Sequence, residues 1–198
     1  MKLISLDLAV HQTGIAIFDD RKLVGTYTLK HTLKGTYNPM DCEQLLDELV
    51  NREPKSEGLL NLLPKDAYII IEYNTELQAL HLVEFDLELK GLLIGLGYHI
   101  LLINTNHWMR VASNYAIRRD EFPPGRDGNK AWIAELCKFL YPNHEFKSQD
   151  ELDATLMGAV FLSFPSQFKD YVPALKRNRI RDRKKRAAKK LAMQKNVV

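Results

Sequence analysis

The period of the apolar positions changes several times along the chain, and each change marks an element. Lys2 to Ala9 is apolar apart from Lys2, Ser5 and Asp7 and predicts a strand. Thr13 to Phe18 predicts a second strand after a turn at His11-Gln12, and the alternation from Lys22 to Lys30 predicts a third. Asp19-Asp20-Arg21 suits a tight hairpin connection, so the chain is expected to open as a three-stranded antiparallel meander. From Pro39 to about Leu63 the period turns helical through Leu45, Leu46, Leu49, Leu59 and Leu62, with Pro54 breaking the run into two shorter helices. Ala67 to Tyr73 is an unbroken run of strand-forming residues, the pattern of a strand buried on both faces, with Glu72 at its C-terminal end.

Thr75 to about Leu96 is leucine-rich nearly all round, including Leu77, Leu80, Phe85, Leu89 and Leu93. One buried face does not account for that pattern; either a neighbour overlaps the helix or its second face is a subunit interface. Tyr98 to Ile103 predicts a fifth strand, and Asn104-Thr105-Asn106 is a start signal for a helix over Trp108 to Ala112. Residues 113 to 128 carry Arg118, Arg119, Pro123, Pro124, Gly125, Arg126 and Gly128 and predict a mobile basic loop. Lys130 to Leu140 returns to helix, and Ser148-Gln149-Asp150-Glu151 has the capping-box pattern ahead of Leu152 to Phe164. Strands followed by alternating helices and strands predict an α/β fold, a mixed sheet with helices on both faces.

Composition narrows the setting. The longest uncharged apolar stretch, Gly91 to Ile103, is too short to span a bilayer, and Asp7 interrupts the apolar N-terminus before an export signal forms. No membrane association is expected. Cys42 and Cys137 lack metal-type spacing, so a reduced pair in the cytoplasm is the expectation. The net charge of +3 hides an asymmetry: Lys176 to Val198 holds eleven Lys or Arg against Asp182 alone, whereas residues 1 to 175 hold 17 basic and 24 acidic residues. An acidic domain over residues 1 to 168 thus carries a basic tail over 169 to 198, which suits a polyanionic partner or, less specifically, a solubilising terminus or an anionic membrane contact.

Four acids stand at the edges of apolar segments: Asp7 within the first strand, Glu72 ending the fourth, and Asp150 and Asp153 opening the last helix. Unpaired burial of a carboxylate costs several kcal/mol or forces protonation, so these positions ask for a partner. Asp150 and Asp153 lie three apart on one helical face, although acids also favour a first turn simply because of the helix dipole. If the strands bearing Asp7 and Glu72 are adjacent and the last helix begins over them, all four converge. Hard oxygen donors without a His or Cys cluster suit Mg²⁺ or Mn²⁺ rather than zinc, and two such ions about 3.5 to 4 Å apart support phosphodiester hydrolysis.

These residues resemble the RuvC family of Holliday junction resolvases, within the ribonuclease H-like superfamily: an initial strand with Asp7, a meander, Glu72 closing the fourth strand, and Asp150-x-x-Asp153-Ala opening the last helix. The likeness spans about residues 1 to 164. It implies a ribonuclease H-like sheet of three antiparallel strands plus two parallel ones, and a Mg²⁺-dependent homodimer, with two ions per site, cutting opposed strands of four-way junctions and other branched DNA. Lys130 resembles the family's lysine near the scissile phosphate and Arg110 a basic DNA contact; Arg118, Arg119 and Arg126 in the expected basic loop join them as candidate DNA contacts, and the leucine-rich helix becomes part of the dimer interface. The sequence departs from the family at Asp7-Leu8-Ala9, where Asp-x-Gly is usual, and after Glu72, where Tyr73 is the sole aromatic. Compactness and the tail point to a bacteriophage member. Two other classes compete. An actin-like ATPase would need a second, Gly-rich phosphate motif that the chain lacks; a non-catalytic binder of branched nucleic acid would need little beyond the tail.

Overall fold

The computed structural model describes residues 1–9, 12–30, 58–64, 67–72 and 80–168. Of the sequence expectations, the helix over 39–57, Tyr73, the first turn of the leucine-rich helix and the basic tail lie outside these residues. The described elements are β1 (Lys2–Leu8), β2 (Gln12–Asp19), β3 (Lys22–Lys30), α1 (Leu59–Leu62), β4 (Tyr68–Glu72), α2 (Leu80–Gly95), β5 (His99–Ile103), α3 (Thr105–Ala112), α4 (Arg126–Leu140) and α5 (Gln149–Ser163). Short 3-10 turns occupy Arg119–Glu121 and Pro165–Phe168.

The five strands form one sheet in the order β3-β2-β1-β4-β5. The meander is antiparallel, and β1, β4 and β5 run parallel to one another. Asp20 and Arg21 form the β2–β3 hairpin loop with φ of 43° and 69°, the left-handed pair that matches the twist of two flanking strands. Asp20 also accepts a hydrogen bond from the N-terminal amine of Met1.

Strand parity divides the core in two. Ile4, Leu6 and Leu8 of β1 join Ile15, Leu29, Ile69 and Ile71 against α1 and α2, through Leu59, Phe85, Leu89 and Leu93. Leu3, Ala16, Phe18, Ile70 and Ile103 point the other way, against Trp108 of α3, Trp132 and Leu136 of α4, and Leu156 and Val160 of α5. A period of two then assigns Ser5, Asp7, Gln12, Gly14, Thr26, Thr28, Lys30 and Glu72 to this second face as well. It is apolar at one end and polar at the end where β1 and β4 terminate.

α5 covers that polar end. Ser5 Oγ donates to the carbonyl of Ala154 at 2.5 Å, and Gly14 lies directly beneath the backbone of Asp150. A Cβ built at Gly14 would overlap the Asp150 carbonyl, so only glycine permits the approach. Gly14→Ala is therefore expected to destabilise the fold by about 1 to 3 kcal/mol, the usual range for overpacking, and denaturant unfolding would measure it. A stability equal to that of the unmodified chain would mean that α5 is not seated there.

Candidate active site

The carboxyl ends of parallel strands form the edge at which open α/β sheets bind ligands. At this edge Asp7 pairs across β1–β2 with Gly14, Leu6 pairs with Ile71 just ahead of Glu72, and Glu72 pairs with Ile103. Ile103 leads directly into the N-terminus of α3. Ser148 caps α5 by accepting the Glu151 N–H at 3.2 Å, as its sequence predicted. With α5 seated on Gly14, Asp150 and Asp153 reach the same place. Asp7, Glu72, Asp150 and Asp153 line one cleft of about 390 Å³, together with Thr105, Trp108, Arg126, Asn129, Lys130 and Gln149.

Three of the acids have neutral donors. Thr105 Oγ1 donates to Glu72, Gln12 Nε2 to Asp150, and Gln149 Nε2 to Asp153 at 3.0 Å. Sequence reasoning missed all three donors, since a lone Thr or Gln carries no signal of its own until the fold sets it beside a carboxylate. Crowding has an electrostatic cost. Burial, followed by the charges of Glu72, Asp153 and Asp150, pushes the Asp7 carboxyl well above the ordinary range. Burial and Asp153 push Glu72 up to about 7, an effect reduced by the neighbouring Trp108 indole. Burial also raises Asp153 to about 6, with Gln149, Lys130 and Arg126 opposing the rise and Asp150 adding to it.

The all-oxygen, multiply anionic donor set fits a hard divalent cation. Among the described residues, however, no group of three or more His, Cys, Asp or Glu side chains is arranged to hold a metal ion.

The basic candidates divide. Lys130 and Arg126 line the cleft, one turn apart on α4, which begins at Arg126 instead of the expected Lys130. Arg110 is exposed on α3, outside the cleft, with a guanidinium nitrogen 3.1 Å from His107 Nδ1. Arg118 is exposed and pairs with Asp120 at 2.5 Å. Arg119 is partly buried. Its guanidinium donates to Asn129 Oδ1 at 2.6 Å and to the carbonyls of Phe122 and Pro123 at 3.1 and 3.0 Å, fastening the loop to α4. Gly128 admits the Pro123 carbonyl where a Cβ would clash. Arg119 thus ties the loop main chain to α4, while most of the loop residues are exposed. Tyr115 is likewise engaged in packing, its hydroxyl donating to the Ala159 carbonyl at 3.1 Å.

The raised acids set the sign of a pH effect. Glu72 and Asp153 bind their protons more tightly in the folded chain, so their contribution to stability is present below the unfolded pKa near 4 and is lost as pH rises toward about 7; the contribution of Asp7 has the same sign. Asp7→Asn removes one of the mutually repelling charges. In EDTA at pH 8 it is expected to raise the thermal midpoint by roughly a few degrees, with the gain shrinking toward pH 4. A lower midpoint at pH 8 would contradict the electrostatic account.

No family model and no curated protein sequence matches the chain. Solved structures similar in shape include two of one protein. One is described as Thermus thermophilus RuvC in complex with Holliday junction substrate, with a TM-score of 0.57, 8% identity, and coverage of 84% of this chain and 96% of that one. The other, a Thermus thermophilus RuvC structure, gives a TM-score of 0.56 at the same 8% identity and the same coverage. At that identity the likeness concerns the fold, and the strand order, strand directions and flanking helices are those of the RuvC-like, ribonuclease H-like architecture.

Proposed function

We propose that this chain is a Mg²⁺-dependent, structure-selective endodeoxyribonuclease that hydrolyses phosphodiesters in four-way junctions and other branched DNA, acting in the cytoplasm as a homodimer. The carrying observation is the convergence of Asp7, Glu72, Asp150 and Asp153 on one cleft that also receives Lys130 and Arg126. The RuvC-like fold supports the substrate class, since one of the similar structures is described as RuvC in complex with a Holliday junction substrate. The basic C-terminal run supports a polyanionic partner.

In this reading Asp7, Glu72, Asp150 and Asp153 would hold two Mg²⁺ ions, with Mn²⁺ as a substitute. When bound, the metal supplies Lewis acidity and charge neutralisation at the scissile phosphate. Lys130 and Arg126 hold the non-bridging phosphate oxygens from the α4 side and orient the strand. Thr105, Gln12 and Gln149 fix the directions of the carboxylates, as hydrogen-bonded neighbours of metal ligands commonly do. Arg110 and Arg118 contact the backbone farther out, and a phage origin accords with the compact design.

The competing reading is a non-catalytic binder of branched nucleic acid on the same scaffold. The engagement of three acids by neutral donors, without a formed cation site among the described residues, is the observation in its favour. Incubating labelled four-way, three-way, flap and duplex DNA with the protein in Mg²⁺ and in EDTA separates the two. Junction cleavage in Mg²⁺ alone is expected, and Asp7→Asn should keep binding while losing on the order of 10³-fold in rate, the equivalent of about 4 kcal/mol. Binding without cleavage by the unmodified protein would favour the binder.

The dimer rests on α2. Leu87 and Ile94, two turns apart, are each 61% exposed and form an apolar pair opposite the buried Leu89 and Leu93. Light scattering is expected to give twice the monomer mass, and Leu87→Asp with Ile94→Asp to give the monomer. A monomeric unmodified protein at assay concentrations would remove the dimer from the proposal.

A further inference from the structure

α5 has a second polar side. While Asp150 and Asp153 reach the acidic cleft, Ser148 and Glu151 of the same turn face β3 and line a separate cleft of about 640 Å³, with Gln12, Thr28, Lys30 and Lys147. The two clefts are neighbours. Gln149 lines both, and Gln12, on the wall of the second, donates to Asp150 in the first. The sheet register puts Thr28, Gly14 and Asp7 side by side across β3, β2 and β1, so the two clefts flank the seat of α5 on Gly14.

Glu151, the one acid among the described residues lining this cleft, is already engaged. Thr26 and Thr28 donate their hydroxyl protons to its two oxygens at 2.8 and 2.7 Å, and the Lys147 N–H donates to Oε2 at 3.0 Å. With both threonine protons committed, His144 Nε2 must donate to Thr26 at 2.9 Å and Ser148 to Thr28 at 2.7 Å. The network turns its donors inward and fixes the cleft floor. The Lys147 side chain is exposed, and its ammonium forms no ion pair with any described residue. Lys30 lines the same cleft, as do Gln12 and Gln149, whose side-chain amides each carry a second proton.

We infer that this cleft is a second backbone-binding subsite, in which Lys147, with Lys30 and the two glutamine amides, holds a phosphate of the DNA strand whose neighbouring phosphate lies at the acidic cleft. The inference rests on the proposed nucleic-acid function and assigns the path of the strand: across the sheet from β4 toward β3, over the first turn of α5. Its ligand is a phosphodiester in a polynucleotide; a free phosphate would share the charge but not the register with the cut.

Binding measured in EDTA tests the subsite independently of cleavage. Lys147→Ala is expected to weaken four-way junction binding roughly five- to tenfold at low salt and to lower the slope of log affinity against log salt by about one; Lys147→Arg should restore both. Lys138→Ala, which removes an exposed charge in the last turn of α4, is the control and should change affinity less than about twofold. Junctions with a single neutral methylphosphonate should reveal one position near the scissile bond that weakens the unmodified protein and has no effect on Lys147→Ala. Equal losses for the two alanine variants, or a methylphosphonate penalty that persists without Lys147, would overturn the subsite. Failure of the nuclease reading shows separately, as absent cleavage by the unmodified protein in Mg²⁺; absent DNA binding would end both.

Discussion

Everything at the polar end of the sheet depends on one steric allowance, the contact between Gly14 and the main chain of Asp150. A side chain at position 14 would lift the start of α5 off β2. The helix would then deliver neither Asp150 and Asp153 to one side of the seat nor Ser148 and Glu151 to the other. The hydrophobic core cannot supply this placement. Apolar packing through Leu156 and Val160 holds the far part of the helix against Phe18 and Leu3, but it is non-directional and would tolerate a tilt. The Ser5 to Ala154 hydrogen bond and the glycine seat turn a general packing preference into a defined position.

That position gives neighbouring carboxylates opposite environments. Glu151 is buried among two threonine hydroxyls and a main-chain N–H, each a donor, and anchors the helix to β3. Asp153, two residues on, is surrounded by other acids and relieved only by Gln149 and the more distant Lys130 and Arg126. Both acids lie in the first turns of one helix, where the dipole favours negative charge in general. Parity and register, rather than the dipole, decide which becomes structural and which stays under electrostatic strain.

The sequence was most informative where chemistry and period coincide. Strand alternation alone sets Asp7 and Glu72 on the α5 face, and the Ser148 cap fixes where the helix begins. The hairpin at Asp20-Arg21 followed from its length and polarity. Three features were not legible. The start of α4 was hidden because Gly125, Arg126 and Gly128 read as loop, whereas Gly128 is helical and small for the sake of the Pro123 carbonyl. The bonds of Arg119 were hidden because hydrogen bonds to main-chain carbonyls leave no trace in residue type. Thr105, Gln12 and Gln149 were silent because their role depends on carboxylates 33, 138 and 4 positions away in the chain.

The seat on Gly14 has a bearing on how such a protein diverges. The contact runs from main chain to main chain, so the identity of the side chain at position 150 does not enter it. A lineage carrying this scaffold can exchange the acid at 150 for another residue, gaining or losing chemistry, while the helix stays where it was. Position 14 has no such freedom. Drift at the chemical residues and constancy at a residue that touches no substrate is the pattern of variation this architecture permits, and it separates the inheritance of shape from the inheritance of activity.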